Sequence, residues 1–393
     1  MNAIYFFLIP VVNAFNFSAV LIIPLIASIL ALILNVLRPR DALSNPFQVN
    51  KVDALYFLFI SSIFISIVVN IFDLQLVNFN HTIALLTGFI FFYLGAERIA
   101  QYMSIRSILH VLYLSYLVTL VFGVIEFFLV NFVGMDISGF VYRPTVLDYV
   151  PEFLGIGLIR NRSFFEESVY YAGYLGVMMP ILSYYLWYEQ ESKFHRILFV
   201  LLSIASCFMA FSVSFFLFFP AGICFTFICK NIFDKKITKT MVFMYGLIFC
   251  ILIIILSSPT LQQLMFFNKL EGDSLTDRSV KLSLTLQAMS EAGIWNTLFG
   301  YGPGSYFNLG ILPGVSVYLN YWRDLGFFGV VTYTIYAIVF LVELFRIKTP
   351  FGTALFVSAL MTQLFFLTSS IYYYPHYFLP MVFYKLIIKQ KEN

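Results

Sequence analysis

Apolar runs of roughly 20 residues recur from one end of the chain to the other, and this feature limits the possible folds more than any other. A helix of about 20 apolar residues has the length needed to cross the hydrocarbon core of a bilayer. Hydrophobic residues make up 61% of the 393 residues and charged residues only 11%, whereas ordinary soluble chains are about a quarter charged. Since no long polar stretch could form a soluble domain, we predict one all-α polytopic membrane domain over residues 1–393.

The apolar runs predict about eleven to twelve transmembrane helices. We place eleven of them near residues 15–37, 52–72, 82–97, 106–130, 167–188, 195–212, 214–230, 240–257, 316–345, 351–371 and 374–389. Residues 2–13 are short for a span, so they are interpreted as a twelfth span, a half-helix or a surface segment. They lack a basic region and a small-residue cleavage site, which argues against a removable signal peptide.

The positions of lysine and arginine predict the orientation in the membrane. Sixteen of the 23 basic residues fall in one set of short loops and in the C-terminal tail, and the other seven fall on the opposite side. We therefore predict a multi-pass protein of the plasma (inner) membrane whose C-terminus is cytoplasmic. Two long loops, 131–166 and 258–315, are then outside.

Several classes of function are disfavoured by the composition. The four cysteines lie inside apolar runs without a CxxC pattern, and the four histidines are scattered, so we predict neither a metal site nor a cofactor. A net charge of +3 is too small to indicate a nucleic-acid partner.

The first long loop ends in an unusually charged segment, IRNRSFFEESVYYAG, just before a predicted helix. It contains Arg160, Arg162, Glu166 and Glu167 within eight positions. Arginines on the outer side oppose the usual bias, so they need a partner. That partner is either an anionic ligand or the two neighbouring glutamates, and the sequence leaves both possibilities open.

The second long loop contains a predicted amphipathic helix on the outer membrane surface. Ser274 with Asp277 three positions later resembles a capping box. Leu282, Leu286 and Met289 then recur at helical spacing.

Two further features of the second loop bear on function. Arg278 and Lys281 are three positions apart and share a helix face, where they either extend toward lipid headgroups or bind an anion. Gly300, Gly302 and Gly304 alternate in LFGYGPGSY. This pattern predicts either a sharp turn or a backbone that closely approaches a ligand.

Arginines at membrane depth favour an anionic substrate, because a lone charge there costs on the order of 2.5–3.5 kcal/mol or more. The guanidinium fork suits phosphate oxygens, and a lipid-linked diphosphate lies at this depth. Preorganised cations would stabilise the charge that grows on a departing diphosphate, while a base would assist an attacking sugar hydroxyl. The predicted diphosphate ligands are Arg162 and Arg278, with Arg160, Lys281 and Arg323 as further partners. The candidate bases are Glu167, Glu166, Asp277, Asp324 and His376.

Three stretches resemble the superfamily of O-antigen polymerases and O-antigen ligases, which are C-type glycosyltransferases of bacterial surface polysaccharide synthesis. RNRSFFEESVYYAG resembles the family's arginine, aromatic and acidic segment, with Arg162 eleven positions before Gly173. DRSVKLSLTLQAM followed by NTLFGYGPGSY resembles its arginine, helix and Leu-x-Gly-x-Gly turn. YLNYWRDLGFFGV resembles the segment that begins one of its late helices.

The resemblance implies a polysaccharide polymerase that needs no metal or cofactor. Its substrate would be an undecaprenyl diphosphate-linked oligosaccharide, and its other partners would be membrane lipids and a chain-length regulator. The chain departs from the family at two points. Val315 and Ser316 stand where the ligases carry His-Asn. Arg162 and Gly173 form an R-x10-G pattern, but a second such pattern beginning at Arg278 would need glycine at position 289, where this chain has Met289. The alternatives are an O-antigen ligase, which the missing histidine disfavours, and a transporter of lipid-linked oligosaccharide.

Overall fold

The computed structural model describes residues 1–12, 22–37, 49–135, 149–153, 156–190, 192–233, 273–312 and 314–392. These residues are mostly helical, as predicted. The helices are α1 (Asn2–Leu8), α2 (Ile23–Val36), α3 (Lys51–Val69), α4 (Leu76–Thr87), α5 (Ala96–Ala100), α6 (Ile105–Phe128), α7 (Ser168–Tyr184), α8 (Lys193–Ala210), α9 (Val213–Phe233), α10 (Asp273–Ser290), α11 (Ile294–Phe299), α12 (Val317–Arg346), α13 (Pro350–Phe366) and α14 (Leu379–Glu392). Segments of π-helix extend α4 into α5 (Gly88–Gly95), α6 (Leu129–Val133) and α7 (Tyr185–Glu189).

Five helices among the described residues are long and apolar enough to cross a membrane. They are Lys51–Val69, Leu76–Ala100, Ile105–Val133, Lys193–Ala210 and Val317–Arg346. Shorter apolar helices cover Ile23–Val36, Ser214–Cys229 and Pro350–Phe366. The chain thus has the architecture of a helical multi-pass membrane protein. The span predicted at 240–257 lies outside the described residues, so a total of eleven or twelve stays a prediction.

The short N-terminal helix is part of the protein core. Tyr5 and Phe6 of α1 are fully buried, and Asn35 of α2 donates a hydrogen bond to the side chain of Asn2 at 3.2 Å. Seven residues of helix reach only about 10 Å. Of the three interpretations of residues 2–13, the buried half-helix therefore describes α1, and a regular span is excluded.

Helices α3 and α12 run antiparallel and define two ends of the helical bundle. At one end Lys51 forms an ion pair with Glu343, with 2.6 Å between Nζ and Oε1. At the other end the Ser66 hydroxyl donates to the backbone carbonyl of Asp324 at 2.8 Å. The intervening part of α3 is roughly 22 Å long at 1.5 Å per residue. Lys51 and Arg346 thus lie at one end of the bundle, far from the glycine-rich turn of Gly300, Gly302 and Gly304. This separation agrees with the prediction that the two basic residues and the turn are on opposite sides of the membrane.

The end of the chain differs from the prediction in its helix boundaries. Helix α13 ends at Phe366 rather than near 371, and α14 begins at Leu379 after a short 3-10 helix, Pro375–Phe378. Proline disfavours helical backbone at the residue before it, and Tyr374 is accordingly extended, with φ −74° and ψ 136°. Residues 367–374 therefore form an irregular connection, and this connection contributes to the candidate site.

The two long loops are described in part. The first contains an antiparallel hairpin of β1 (Tyr149–Phe153) and β2 (Ile156–Ile159). The second contains the predicted helix as α10, in which Thr285 and Met289 are buried whereas Leu282 and Leu286 are exposed. An apolar exposed face is what a helix in contact with lipid presents. Contact between the membrane and this helix stays a prediction.

Candidate functional site

The glycine-rich turn is packed against a break in helix α12. Gly326 interrupts that helix with φ 67° and ψ −167°, which frees backbone groups in the middle of an apolar segment. Tyr301 N–H donates to the Arg323 carbonyl and Gly302 N–H to the Asp324 carbonyl, both at 3.0 Å. The turn therefore donates hydrogen bonds to backbone carbonyls that the break in the helix leaves without a helical partner.

The glycines are required because the two backbones touch. A Cβ on Gly300 would lie 2.3 Å from the Asp324 carbonyl carbon, and one on Gly326 would lie 2.4 Å from the Gly300 nitrogen. Of the two interpretations of the alternating glycines, a sharp turn and a close ligand approach, the described residues support the turn. The close approach that the structure shows is to another part of the chain.

Helices α3 and α4 hold the other side of the turn. Asn70 donates to the Gly300 carbonyl at 2.9 Å, and Asn78 donates to the Pro303 carbonyl at 2.9 Å. His81, one turn after Asn78, places its ring against the backbone of Gly304. The turn is thus held by three helices, which gives its side chains fixed positions.

Arg323 and Asp324 form a largely buried charged pair at this end of the described bundle. The guanidinium is 1% exposed, and its Nε donates to Asp324 Oδ1 at 2.8 Å. The carboxylate also accepts from the Ser305 hydroxyl at 2.7 Å and from Gly304 N–H at 3.0 Å. Because these donors occupy Asp324, its first role is to position Arg323 and the turn. This arrangement makes Asp324 a weaker candidate for the base.

Arg323 keeps hydrogen-bonding capacity for a ligand. Its Nη1 is buried and has no hydrogen-bond partner among the described residues. Its guanidinium carbon lies 5.2 Å from the centre of the Tyr306 ring. A buried donor that lacks a partner is costly in a folded protein, so such a group indicates either an ordered water or a bound ligand.

The charged segment of the first loop is folded into the protein rather than spread over its surface. Asn161, Arg162, Ser163 and Phe165 are all less than 4% exposed. Ser163 has φ +48°, an uncommon conformation that its hydrogen bonds fix: its N–H donates to Glu126 Oε2 at 2.7 Å. Its hydroxyl donates to the carbonyl of residue 119 at 2.8 Å.

Glu126 is a site residue that the sequence did not indicate. It lies near the end of α6 and could be taken for an ordinary helix-terminal charge. Its carboxylate accepts a hydrogen bond from Ser163, which lies 37 positions later in the chain.

Arg162 has at least one structural contact. Its Nη1 donates to the backbone carbonyl of Glu166 at 3.1 Å, which closes the loop before α7 begins at Ser168. This contact is with the backbone, so the choice between the two glutamates and an anionic ligand as the partner of Arg162 stays a prediction. Arg160 is half-buried at the entrance of the same loop.

The two loops meet through a tyrosine-rich connection, residues 370–374. Burial, and next the Glu166 carboxylate, raise the pKa of the Tyr373 phenol, with a further contribution from Tyr306. Burial and then Asp324 raise the pKa of the neighbouring Tyr372. Glu166 from the first loop, Tyr306 from the second loop and Asp324 from α12 are therefore close to the same short segment. The three consecutive tyrosines before Pro375 are visible in the sequence, but no pattern in it indicates which loops they join.

His376 is completely buried among aromatic rings. The ring centres of Tyr377, Tyr174 and Phe165 lie 4.2, 5.3 and 5.8 Å from that of His376. Neither imidazole nitrogen has a hydrogen-bond partner among the described residues. His376 is thus next to the charged segment of the first loop, but aromatic rings enclose it, whereas Glu166 and Glu167 of that segment are half-buried.

Other predicted residues are only partly placed. The backbones of Asp277 and Arg278 lie in α10, and their side chains are outside the described part of the chain, so the predicted meeting of Arg162 and Arg278 stays a prediction. Lys281 is half-buried on the same helix. Among the described residues, no group of three or more His, Cys, Asp or Glu side chains could hold a metal ion.

The assembled site has a buried cation and a rim of polar side chains. Arg323 is buried, and Tyr306 and His81 are half-buried beside it. Tyr373, which is also half-buried, lies close to Tyr306 and Glu166, and Glu167 is the next residue of the first loop. Such an arrangement can hold an anion at the guanidinium and can exchange a proton at its rim. A comparison of the chain with protein-family models, curated proteins and solved structures finds no match.

Proposed function

We propose that the chain is a polysaccharide polymerase of the outer face of the plasma membrane. It transfers a growing glycan from undecaprenyl diphosphate to a lipid-linked oligosaccharide repeat unit. The observation that carries this proposal is the buried Arg323 next to the meeting point of the two loops, whose guanidinium Nη1 has no partner within the described part of the chain. The resemblance of the three sequence stretches supplies the substrate class.

The proposed reaction breaks the bond between the anomeric carbon of the donor glycan and its diphosphate oxygen. The electron pair of that bond leaves with the diphosphate, and a hydroxyl oxygen of the acceptor sugar forms the new bond to the anomeric carbon. Negative charge grows on the departing diphosphate, so a preorganised guanidinium stabilises the transition state more than the ground state. Arg323 is the foremost ligand in this scheme, with Arg162, Arg278, Arg160 and Lys281 contributing further positive charge.

The hydroxyl proton must go to a base at the rim. Among the described candidates, Glu166 and Glu167 fit this role best, because both are half-buried and Glu166 lies close to Tyr373 of the tyrosine-rich connection. Asp324 is held by three donors, and His376 is enclosed by aromatic rings. These contacts support Glu166 and Glu167 as the bases of the proposed reaction, and the side chain of Asp277 lies outside the described residues.

Purified protein in lipid nanodiscs, supplied with a lipid-linked repeat unit, tests the proposal by the length of the glycan that it makes. Arg323→Lys keeps the charge and removes the planar fork, and we expect it to slow polymer synthesis strongly. Arg323→Ala and Arg162→Ala each lose a charge-assisted contact to the transition state. Such a loss costs roughly 2–4 kcal/mol, or about 30- to 1000-fold in rate. Arg346→Ala is the matched control, since this arginine pairs with Glu343 at the opposite end of the bundle.

Three results would contradict the proposal. Near-normal rates in both Arg323→Lys and Arg162→Ala would show that neither arginine acts on the diphosphate. Single-repeat products transferred to a lipid A core would identify a ligase, and movement of intact donor across the bilayer without a new glycosidic bond would identify a transporter.

A further inference from the structure

His81 and Tyr306 form a polar pair at the rim of the candidate site. His81 Nε2 lies 3.2 Å from the Tyr306 hydroxyl oxygen, and the two rings meet edge to face with 5.5 Å between their centres. Both side chains are half-buried, so each is accessible from outside while being held by its neighbours. The Tyr306 ring also lies over Arg323, at 5.2 Å, which places the pair directly beside the proposed diphosphate ligand.

The glycine-rich turn is built to admit this histidine. A Cβ on Gly304 would lie 2.3 Å from His81 Cδ2, and Gly304 has φ +70°, which an L side chain rarely adopts. Asn78, on the same face of α4, fixes the neighbouring Pro303 carbonyl at 2.9 Å. The third glycine of the turn is therefore explained by the approach of an imidazole ring.

The chemistry of the pair suits proton transfer. Burial, as the largest cause, raises the pKa of the Tyr306 phenol, while Arg323 lowers it and Asp324 raises it. The phenol is therefore protonated near neutral pH and can donate its hydrogen to His81 Nε2. Its oxygen then has lone pairs that can accept a hydrogen bond from a second hydroxyl group.

We propose that Tyr306 and His81 together accept the proton of the attacking sugar hydroxyl. This inference rests on the proposed polymerase reaction and adds a proton acceptor to it. The acceptor O–H bond breaks as the oxygen bonds to the anomeric carbon. The proton passes to the Tyr306 oxygen while the phenol proton passes to His81 Nε2. The electron pair of the broken anomeric bond leaves on the diphosphate beside Arg323, so charge and protons balance.

The other charged groups near His81 are compatible with this role. Asp324 and Arg323 are the charges that act on His81, and they have opposite signs. The carboxylate would stabilise the imidazolium that forms, in the manner of an acidic partner of a catalytic histidine. Glu166 and Glu167 reach the site from the other loop, so they remain the competing proton acceptors.

The test is the rate of polymer synthesis by full-length protein in nanodiscs, measured as a function of pH with the lipid-linked repeat unit as substrate. His81→Gln can keep a hydrogen bond to Tyr306 but cannot take a proton, and Tyr306→Phe keeps the ring over Arg323 but loses the hydroxyl. We expect each to lose about 10²–10⁴-fold in rate, the usual contribution of general base catalysis. We also expect both to lose the acidic limb of the rate–pH profile. Free imidazole should restore part of the rate of His81→Ala.

A second histidine–tyrosine pair provides a matched control. His110 Nδ1 lies 2.9 Å from the Tyr185 hydroxyl, near the end of α6 that is remote from Glu126. His110→Gln and Tyr185→Phe should leave the rate and its pH profile unchanged.

The outcomes separate this inference from the proposed function. If the wild-type protein makes polymer while His81→Gln and Tyr306→Phe keep its rate and pH profile, the His81–Tyr306 pair is not the proton acceptor, and the polymerase proposal stands. A slow variant with an unchanged pH profile and no imidazole rescue would assign the pair to holding the turn. A wild-type protein that makes no polymer would overturn both proposals.

Discussion

Replacing Gly300 or Gly326 by alanine should destabilise the protein far more than the same change at Gly310, whose φ is also positive. Gly300 has φ 74° and ψ −175°, and Gly326 has φ 67° and ψ −167°, a region that is essentially restricted to glycine. Alanine in such a conformation costs on the order of 1–3 kcal/mol. The new Cβ would also meet backbone atoms at 2.3–2.4 Å, and relieving such overpacking typically costs about 1–3 kcal/mol. We therefore expect roughly 2–6 kcal/mol at each position, the sum of these two costs.

Two glycines in the same region of the chain separate the causes. Gly310 has φ +63°, but a Cβ added there would have no atom of the described residues within 4 Å, so Gly310→Ala should cost only the conformational part, about 1–2 kcal/mol. Gly293 has a negative φ and, within the described chain, no atom close to such a Cβ. Gly293→Ala should therefore change stability by about 0.5 kcal/mol or less.

The assay is unfolding of the purified protein by sodium dodecyl sulfate, followed by far-UV circular dichroism. Because Gly300 and Gly326 touch each other, the double variant should be less destabilised than the sum of the single variants, with a coupling of about 0.5–3 kcal/mol. If Gly300→Ala and Gly326→Ala are no less stable than Gly310→Ala, then the contact between turn and helix does not contribute as described, and the geometry of the site would have to be reconsidered.

Two further predictions concern the opposite end of the bundle and the topology. Lys385 Nζ lies 2.7 Å from Asp53 Oδ2 and 3.3 Å from Glu97 Oε2, and both carboxylates are buried. Lys385→Met leaves these charges without that lysine, so we expect the free energy of unfolding to fall by roughly 3–5 kcal/mol in the same assay. Lys348 is exposed, so Lys348→Met should not change the stability. In a background without the four native cysteines, single cysteines at Ser138 and Asp273 should react with an impermeant thiol reagent in cells with a permeabilised outer envelope, whereas one at Lys391 should not. Labelling of Lys391 with protection of Asp273 would invert the predicted topology.

The sequence by itself determined the helical membrane architecture. Apolar runs of membrane length allow few folds, because every backbone polar group in a bilayer must be satisfied within a helix or a closed barrel. For the same reason the structure reproduces the predicted positions of α3, α6, α8 and α12 to within a few residues. The helix of the second loop also followed from local signals, since apolar spacing acts over a few positions, but the helix begins at Asp273 and so already includes Ser274, the predicted capping residue.

Local sequence signals did not predict where the helices break or how the loops pack. The prediction continued the helix of α13 through residues 367–371, although the chain leaves helical geometry there. It also could not choose between two interpretations of the alternating glycines. The deciding fact is that Gly300 touches Gly326, and no short local pattern contains that contact.

The candidate site was decided almost entirely by tertiary structure. The sequence singled out Arg323, Asp324 and Glu166 by residue type, but it ranked Arg323 below Arg162 because the burial of a guanidinium depends on distant residues. It missed His81, which meets Tyr306 across 225 positions, and Glu126, which meets Ser163 across 37. Membrane insertion is governed by the summed hydrophobicity of each local segment, so it can be read from a sequence. The position of a charge or an imidazole is governed by hydrogen bonds between segments that only the folded chain brings together.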